Sequence, residues 1–111
     1  MNDHTTSWNK QELSAYLLLY CANVNFSETE EEIALIRAKV NSDSYKSIHK
    51  EFEKDNDYQS ISKIKTAIDR LGYSEGQIDD LIGEVKTLFL SDGNFDQSEK
   101  TLFFGLKKLL E

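Results

Sequence analysis

The chain of 111 residues has the length of a single domain, which is enough to bury an independent core without disulfides. With 39% hydrophobic and 30% charged residues, it is too apolar for a disordered acidic tail and too evenly mixed for a membrane protein. Its net charge of −7 repels phosphate backbones and argues against nucleic-acid binding. The charge fits a basic protein face or a divalent cation, although solubility alone also favours a negative surface.

The start of the chain predicts a tail over residues 1–8, followed by one helical domain over residues 9–111. Residues 1–7 lack the basic start and apolar run of a signal peptide. The longest apolar run, residues 15–22, is shorter than the roughly 18 to 20 residues that a membrane-spanning helix needs. The lone Cys21 has no intrachain disulfide partner. Together these features favour the cytoplasm.

The first two helices are predicted from caps and apolar spacing, in a chain that has no proline. Asn9 and Glu12 favour a helix start, and the apolar face that follows comprises Leu13, Tyr16, Leu17 and Tyr20. Ser27 and Glu30 predict a capping box for the second helix. Its predicted buried stripe comprises Ile33, Ile36 and Val40.

The third and fourth helices are predicted from the same two signals, helix caps and apolar spacing. The third is predicted to begin near Ser42 or Asp43 and to end in the polar stretch 54–57. Its apolar face comprises Tyr45, Ile48 and Phe52. Asp57 is the predicted cap of the fourth helix, and Gly72 is its predicted end. The inward face of that helix is predicted to comprise Tyr58, Ile61, Ile64, Ile68 and Leu71.

The last two helices are predicted to begin at the pairs Ser74 with Gln77 and Asp96 with Glu99. The apolar face of the fifth comprises Ile78, Leu81, Ile82, Val85 and Phe89. That of the sixth comprises Leu102, Phe103, Leu106, Leu109 and Leu110. No hairpin signal separates alternating apolar runs. The predicted fold is therefore all-α, a bundle of about six short helices.

Two polar turns between helices are alike in sequence. Residues 23–30 read Asn-Val-Asn-Phe-Ser-Glu-Thr-Glu, and residues 92–99 read Asp-Gly-Asn-Phe-Asp-Gln-Ser-Glu. The likeness indicates an internal pseudo-repeat, although short capped turns also look alike for local reasons. In each turn a phenylalanine precedes the predicted cap, as in a hydrophobic staple.

These paired turns resemble those of TerB-like domains, which are associated with tellurite resistance. The resemblance runs over residues 13–109 and implies an all-helical fold. In that family the turns typically read Ala-Asp-Gly, and proposals of metal binding attach to their acidic residues. Asp92 and Gly93 keep that form, whereas Asn23 and Val24 replace the acid and the glycine in the first turn.

The second turn is the candidate cation site. The candidate ligands are Asp92, Asn94, Asp96 and Glu99, in the order of the second half of an EF-hand loop. Their oxygens suit calcium or magnesium, but Leu88 and Leu90 occupy the opening positions and offer only backbone carbonyls. A purely structural reading also explains the turn, with Gly93 forming the bend and the acids capping the helix.

No residue set predicts catalysis. His49 and Glu53 lie one helical turn apart, a spacing that could hold zinc or serve proton transfer, but two side chains do not complete such a site. Cys21 lies in an apolar helix, where a small core residue is expected. No Gly-x-Ser-x-Gly turn or glycine-rich phosphate loop is present.

The sequence thus favours a non-enzymatic, TerB-like module that binds a protein partner in a tellurite- or stress-resistance system. The alternative is an acidic inhibitor or immunity-type module that covers a basic enzyme surface, using the acidic helix start at residues 28–32. Phe103 and Phe104 are adjacent, so both cannot face one core, and one of them is a candidate partner contact.

Overall fold

The computed structural model of the chain describes residues 8–23, 29–90 and 97–110, the side chains of residues 97–99 excepted. These ranges contain six α-helices and no strand, which confirms the predicted all-α fold. The helices are α1 (Lys10–Ala22), α2 (Glu30–Arg37), α3 (Ser42–Lys54), α4 (Asp57–Leu71), α5 (Glu75–Leu90) and α6 (Gln97–Leu110). Within the same ranges, none of the helices is long and apolar enough to cross a membrane.

Helix α1 forms the centre of the bundle and lies against α2, α3, α4 and α5. It is buried on every side, whereas the sequence predicted a single inward face. Leu18, Leu19 and Cys21 lie outside the predicted face and are also buried. An amphipathic surface helix buries one stripe, so burial all round marks α1 as the core helix.

Local signals fixed several helix ends as predicted. Asn9 Oδ1 accepts a hydrogen bond from the backbone nitrogen of Glu12 at 2.8 Å, and the Glu12 carboxylate accepts one from the Asn9 nitrogen at 3.0 Å. Ser74 and Gln77 form the same reciprocal pair before α5. Gly72 ends α4 in the left-handed region, with a φ of 68° that favours glycine.

The start of α2 was predicted two residues too early. Thr29, not Ser27, is the N-cap, and its reciprocal partner is Glu32, not Glu30. Thr29 Oγ1 accepts from the Glu32 nitrogen at 3.1 Å, and the Glu32 carboxylate accepts from the Thr29 nitrogen at 3.0 Å. Ser27 lies outside the described residues. Both pairs have the capping-box spacing, so sequence alone could not choose between them.

Asparagines cap the next two helices. Helix α3 begins at Ser42, which confirms one of its two predicted starts, whereas the cap of α4 lies one residue before the predicted Asp57. Asn41 caps α3, and Asn56 caps α4 in a reciprocal pair with Gln59. Asp57, the predicted cap, occupies the first turn of α4 instead. Negative charge is favourable there because the amides at a helix N-terminus are unpaired, so Asp57 still stabilises the helix start.

Three side chains depart from their predicted environments. Tyr58 is 74% exposed, because the buried face of α4 begins at Ser60 instead. Leu109 on α6 is 42% exposed, while Leu106 and Leu110 carry the buried face. Trp8, at the end of the predicted tail, is buried, and its ring centroid lies 4.5 Å from that of Tyr16.

Candidate functional site

Most of the predicted cation site falls in the segment between α5 and α6. Asp92, Asn94 and Asp96 lie outside the described residues, as does the side chain of Glu99. In the ranges that are described, His, Cys, Asp and Glu side chains form no group of three that could hold a metal ion. The cation site therefore stays a prediction from sequence.

Calcium titration followed by amide NMR tests that prediction. Because leucines replace the two opening side-chain ligands, we expect weak binding or none, with no saturable shift at micromolar calcium. The Asp92→Asn variant should then match the parent in stability, since Asp92 lies outside α6. Saturable shifts at micromolar calcium that Asp92→Asn abolishes would establish a tight cation site.

The predicted pair of His49 and Glu53 does come together on α3. His49 Nδ1 lies 3.1 Å from Glu53 Oε1, and the Glu53 side chain is largely exposed. The ring centroid of His49 also lies 5.7 Å from that of Tyr45. This is one contact along a helix surface, and it does not add the further groups that a zinc or proton-transfer site requires.

Cys21 is fully buried in the core. Burial raises the pKa of its thiol above the ordinary value of 9.0, and the nearby Glu32 carboxylate raises it further. The thiol is therefore protonated at neutral pH, and a protonated, inaccessible thiol is a poor nucleophile. Its role in this structure is that of a small core side chain.

This burial predicts alkaline destabilisation. The unfolded thiol ionises near its ordinary value of 9.0 while the folded one stays protonated, so stability should fall as the pH rises above about 9. The free energy of unfolding in urea, measured across that range, should fall less steeply with pH in Cys21→Ala than in the parent. Equal slopes in both proteins would contradict the assignment.

A polar cluster in the core joins α1 to the α3–α4 junction. Tyr16 Oη donates to Asp55 Oδ2 at 2.6 Å and lies 3.0 Å from Ser60 Oγ. Because a phenol has a single hydrogen, Ser60 is the donor in the second contact. Burial raises the pKa of Tyr16, as does the hydrogen bond to Asp55, while the bond from Ser60 opposes this.

Lys63 neutralises the acidic side of this cluster. Its Nζ lies 2.8 Å from Asp55 Oδ2 and 2.7 Å from Glu51 Oε2. Burial alone would lower the pKa of Lys63, but the two carboxylates outweigh it and raise that pKa. Each of these polar groups has a hydrogen-bond or ion-pair partner within the cluster. The cluster therefore holds the helices in place and does not offer reactive groups to solvent.

A concave surface lies between α2 and α5, and we call it the α2/α5 groove. It consists of two depressions, of about 560 and 440 Å³, that share Leu35 and Thr87. The residues that line it are Leu18, Glu31, Ala34, Leu35, Lys39, Asp79, Asp80, Gly83, Glu84, Thr87, Leu88 and Leu90. Leu90 is 48% exposed, so part of the apolar lining faces solvent.

Acidic side chains from both helices also line the groove. Glu84 is paired, since its Oε1 lies 2.5 Å from Lys39 Nζ and its Oε2 accepts from Ser14 Oγ at 3.1 Å. Glu31, Asp79 and Asp80 are exposed. With the Lys39–Glu84 pair neutral, these three carboxylates give the groove a net negative rim.

The α5 side of the groove is open at Gly83, which has no side chain. A Cβ added at Gly83 would meet no atom within 4 Å, so the space above it is open. Thr87 lies one turn further along the exposed side of α5, and its hydroxyl donates to the Gly83 carbonyl at 3.1 Å. A larger side chain at position 83 would therefore fill the groove without disturbing the core.

The two adjacent phenylalanines of α6 have different environments, as their positions required. Phe103 is partly buried against the core, whereas Phe104 is 65% exposed. Their ring centroids lie 5.6 Å apart in an edge-on arrangement. Phe104 is thus the member of the pair that presents a surface to other molecules.

No family model matches the chain, and neither a curated protein nor a solved structure is significantly similar to it.

Sequence reasoning missed the α2/α5 groove. The available signal was the polar side of α5, where Asp79, Asp80 and Gly83 lie among exposed positions. Helical periodicity identifies that side as solvent-facing, but it does not place α2 beside it. The groove depends on how two helices distant in sequence pack on α1.

Proposed function

We propose that the protein is a non-enzymatic interaction module whose α2/α5 groove binds a basic, partly apolar segment of a partner protein. The observation that carries this proposal is the combination of an apolar lining, including the exposed Leu90, with an acidic rim. A segment with alternating basic and apolar positions satisfies both features at once.

Each feature of the groove favours that occupant over others. Glu31, Asp79 and Asp80 attract cations and repel phosphate, so an anionic ligand is disfavoured. Apolar surface around Ala34, Leu35 and Leu90 gains free energy when a partner side chain covers it. Charge on the rim would accelerate association, and burial of the floor would slow dissociation.

The biological setting we propose is a TerB-like domain in a cytoplasmic tellurite- or stress-resistance system. It is supported by the likeness of the two polar turns to those of that family. A divalent cation in the turn at residues 92–99 belongs to the same proposal. Growth on tellurite of a host strain that lacks the gene tests the setting directly, with the intact gene restored on a plasmid as control.

The alternative is an inhibitor or immunity-type module. It is favoured by the exposed acids Glu30 and Glu31 at the start of α2, next to the groove. Glu32, included in the predicted acidic run, is buried and does not contribute to that surface. Under this alternative the captured partner is an enzyme, and adding the purified protein abolishes its activity.

Pull-down from the native host with two matched variants tests the groove. Gly83→Gln places a long side chain in the groove, while Ser47→Gln adds the same side chain at an exposed site on α3, which does not line it. The parent and Ser47→Gln should recover the same basic partner, and Gly83→Gln should lose it.

The pull-down result is interpreted together with the circular dichroism of both variants. Both variants should retain the parent's helical circular dichroism, because each site is exposed. Recovery of the partner by Gly83→Gln as efficiently as by the parent would reject the groove as the binding site. Equal loss in Ser47→Gln would do so as well.

A further inference from the structure

Helix α6 carries a basic and apolar surface on an otherwise acidic protein. Phe104 is 65% exposed and Leu109 is 42% exposed. Lys107 and Lys108 are also exposed, three and four positions after Phe104. Residues at those spacings are neighbours on a helix, so an aromatic ring and two positive charges form one patch.

This patch has the chemistry that the α2/α5 groove selects. The groove offers apolar side chains at Leu35 and Leu90 and carboxylates at Asp79 and Asp80. We propose that the exposed face of α6 in one copy of the chain binds in the α2/α5 groove of a second copy. This inference rests on the proposed function of the groove and names a second copy of the chain as one occupant.

The packing of α6 makes the contact intermolecular. Leu106 and Leu110 are buried in the core of their own chain, where α6 packs against α5. While that packing holds, the opposite face with Phe104 cannot turn into the groove of the same molecule. In a pair of copies, α6 of each copy can bind in the groove of the other, which closes the assembly as a two-fold dimer.

Self-association would compete with partner binding, because both use one groove. A partner that carries a stronger basic segment would displace α6, and the free protein would hide its apolar groove until then. The exposed Phe104 and Leu90 would be covered in the dimer, which lowers the cost of leaving apolar side chains in water.

Sedimentation equilibrium of complementary charge variants tests this pairing. One variant carries Lys107→Glu with Lys108→Glu on α6, and the other carries Asp79→Lys with Asp80→Lys on the groove rim. In either variant alone like charges face each other, so dimerisation should weaken by at least roughly tenfold relative to the parent. An equimolar mixture restores opposite charges in both contacts, so it should dimerise as the parent does.

A charge variant on α3 is the control for the sedimentation experiment. Lys46→Glu with Lys50→Glu changes the same charge on the exposed side of α3 and should leave dimerisation unchanged. A parent that stays monomeric, or a mixture that associates no better than its components, would overturn the inference. In that case the two lysines only complement the C-terminal helix dipole.

The same variants separate this inference from the proposed function. Lys107→Glu with Lys108→Glu leaves the groove intact, so pull-down with it should still recover the basic partner. Recovery of that partner without any self-association would overturn only the dimer. Restored dimers in the mixture, with no groove-dependent partner in the host, would overturn only the proposed partner.

Discussion

The Ile64→Ala variant is expected to lose about 2 to 5 kcal/mol of unfolding free energy. Ile64 is fully buried in the single core, on the inner line of α4. Removing its side-chain atoms loses their transfer free energy and leaves a cavity that the surrounding helices fill only in part. Leu106→Ala on α6 should lose an amount in the same range, since Leu106 is 2% exposed.

Urea unfolding followed by circular dichroism measures both losses. Lys65→Ala supplies the control on α4, because Lys65 is exposed and should change stability by no more than about 0.5 kcal/mol. Losses below about 0.5 kcal/mol for both Ile64→Ala and Leu106→Ala would mean that the core is assigned to the wrong helix faces.

Lys63→Met should have the next largest effect, a loss of about 2 to 3 kcal/mol. Removing one partner of a fully buried ion pair costs roughly 3 to 5 kcal/mol, and the 17% exposure of the Lys63 side chain reduces that cost. The loss arises because Asp55, whose side chain is 8% exposed, keeps its charge without its cation. Tyr16 would still donate to Asp55, so the site is weakened but not left without a donor.

A double-mutant cycle identifies the source of that loss. Adding Asp55→Asn to Lys63→Met removes the unpaired charge, so the double variant should be more stable than the sum of the two single losses predicts. Lys65→Met on the same helix is the matched control and should stay near the parent. Strict additivity of the two single losses would contradict a coupled pair.

Local sequence signals predicted the helices and many of their ends. The Asn9 and Ser74 caps and the left-handed Gly72 depend on residues within one turn, which is why they were accessible from sequence. The features that sequence did not predict depend on tertiary packing. Burial of α1 on every side and exposure of Tyr58 depend on which helices surround each position.

The candidate site was less accessible to prediction. The acidic segment stood out because its candidate ligands lie close together in the sequence, yet Asp92 and Asp96 lie outside the described residues. The groove joins Glu31 and Leu35 of α2 to Thr87 of α5, which are separated by two further helices. No periodic pattern encodes such a juxtaposition, because it follows from how both helices pack on α1.

Site-specific photocross-linking in the native host tests the central claim, that the α2/α5 groove is a protein-binding surface. A photoreactive phenylalanine derivative would replace Thr87 in the groove or, as control, the exposed Ser47 on α3. The groove proposal predicts cross-links from position 87, and not from position 47, to a basic segment of another protein identified by mass spectrometry. Equal cross-linking from both positions, or none from position 87 to a basic segment, would contradict it.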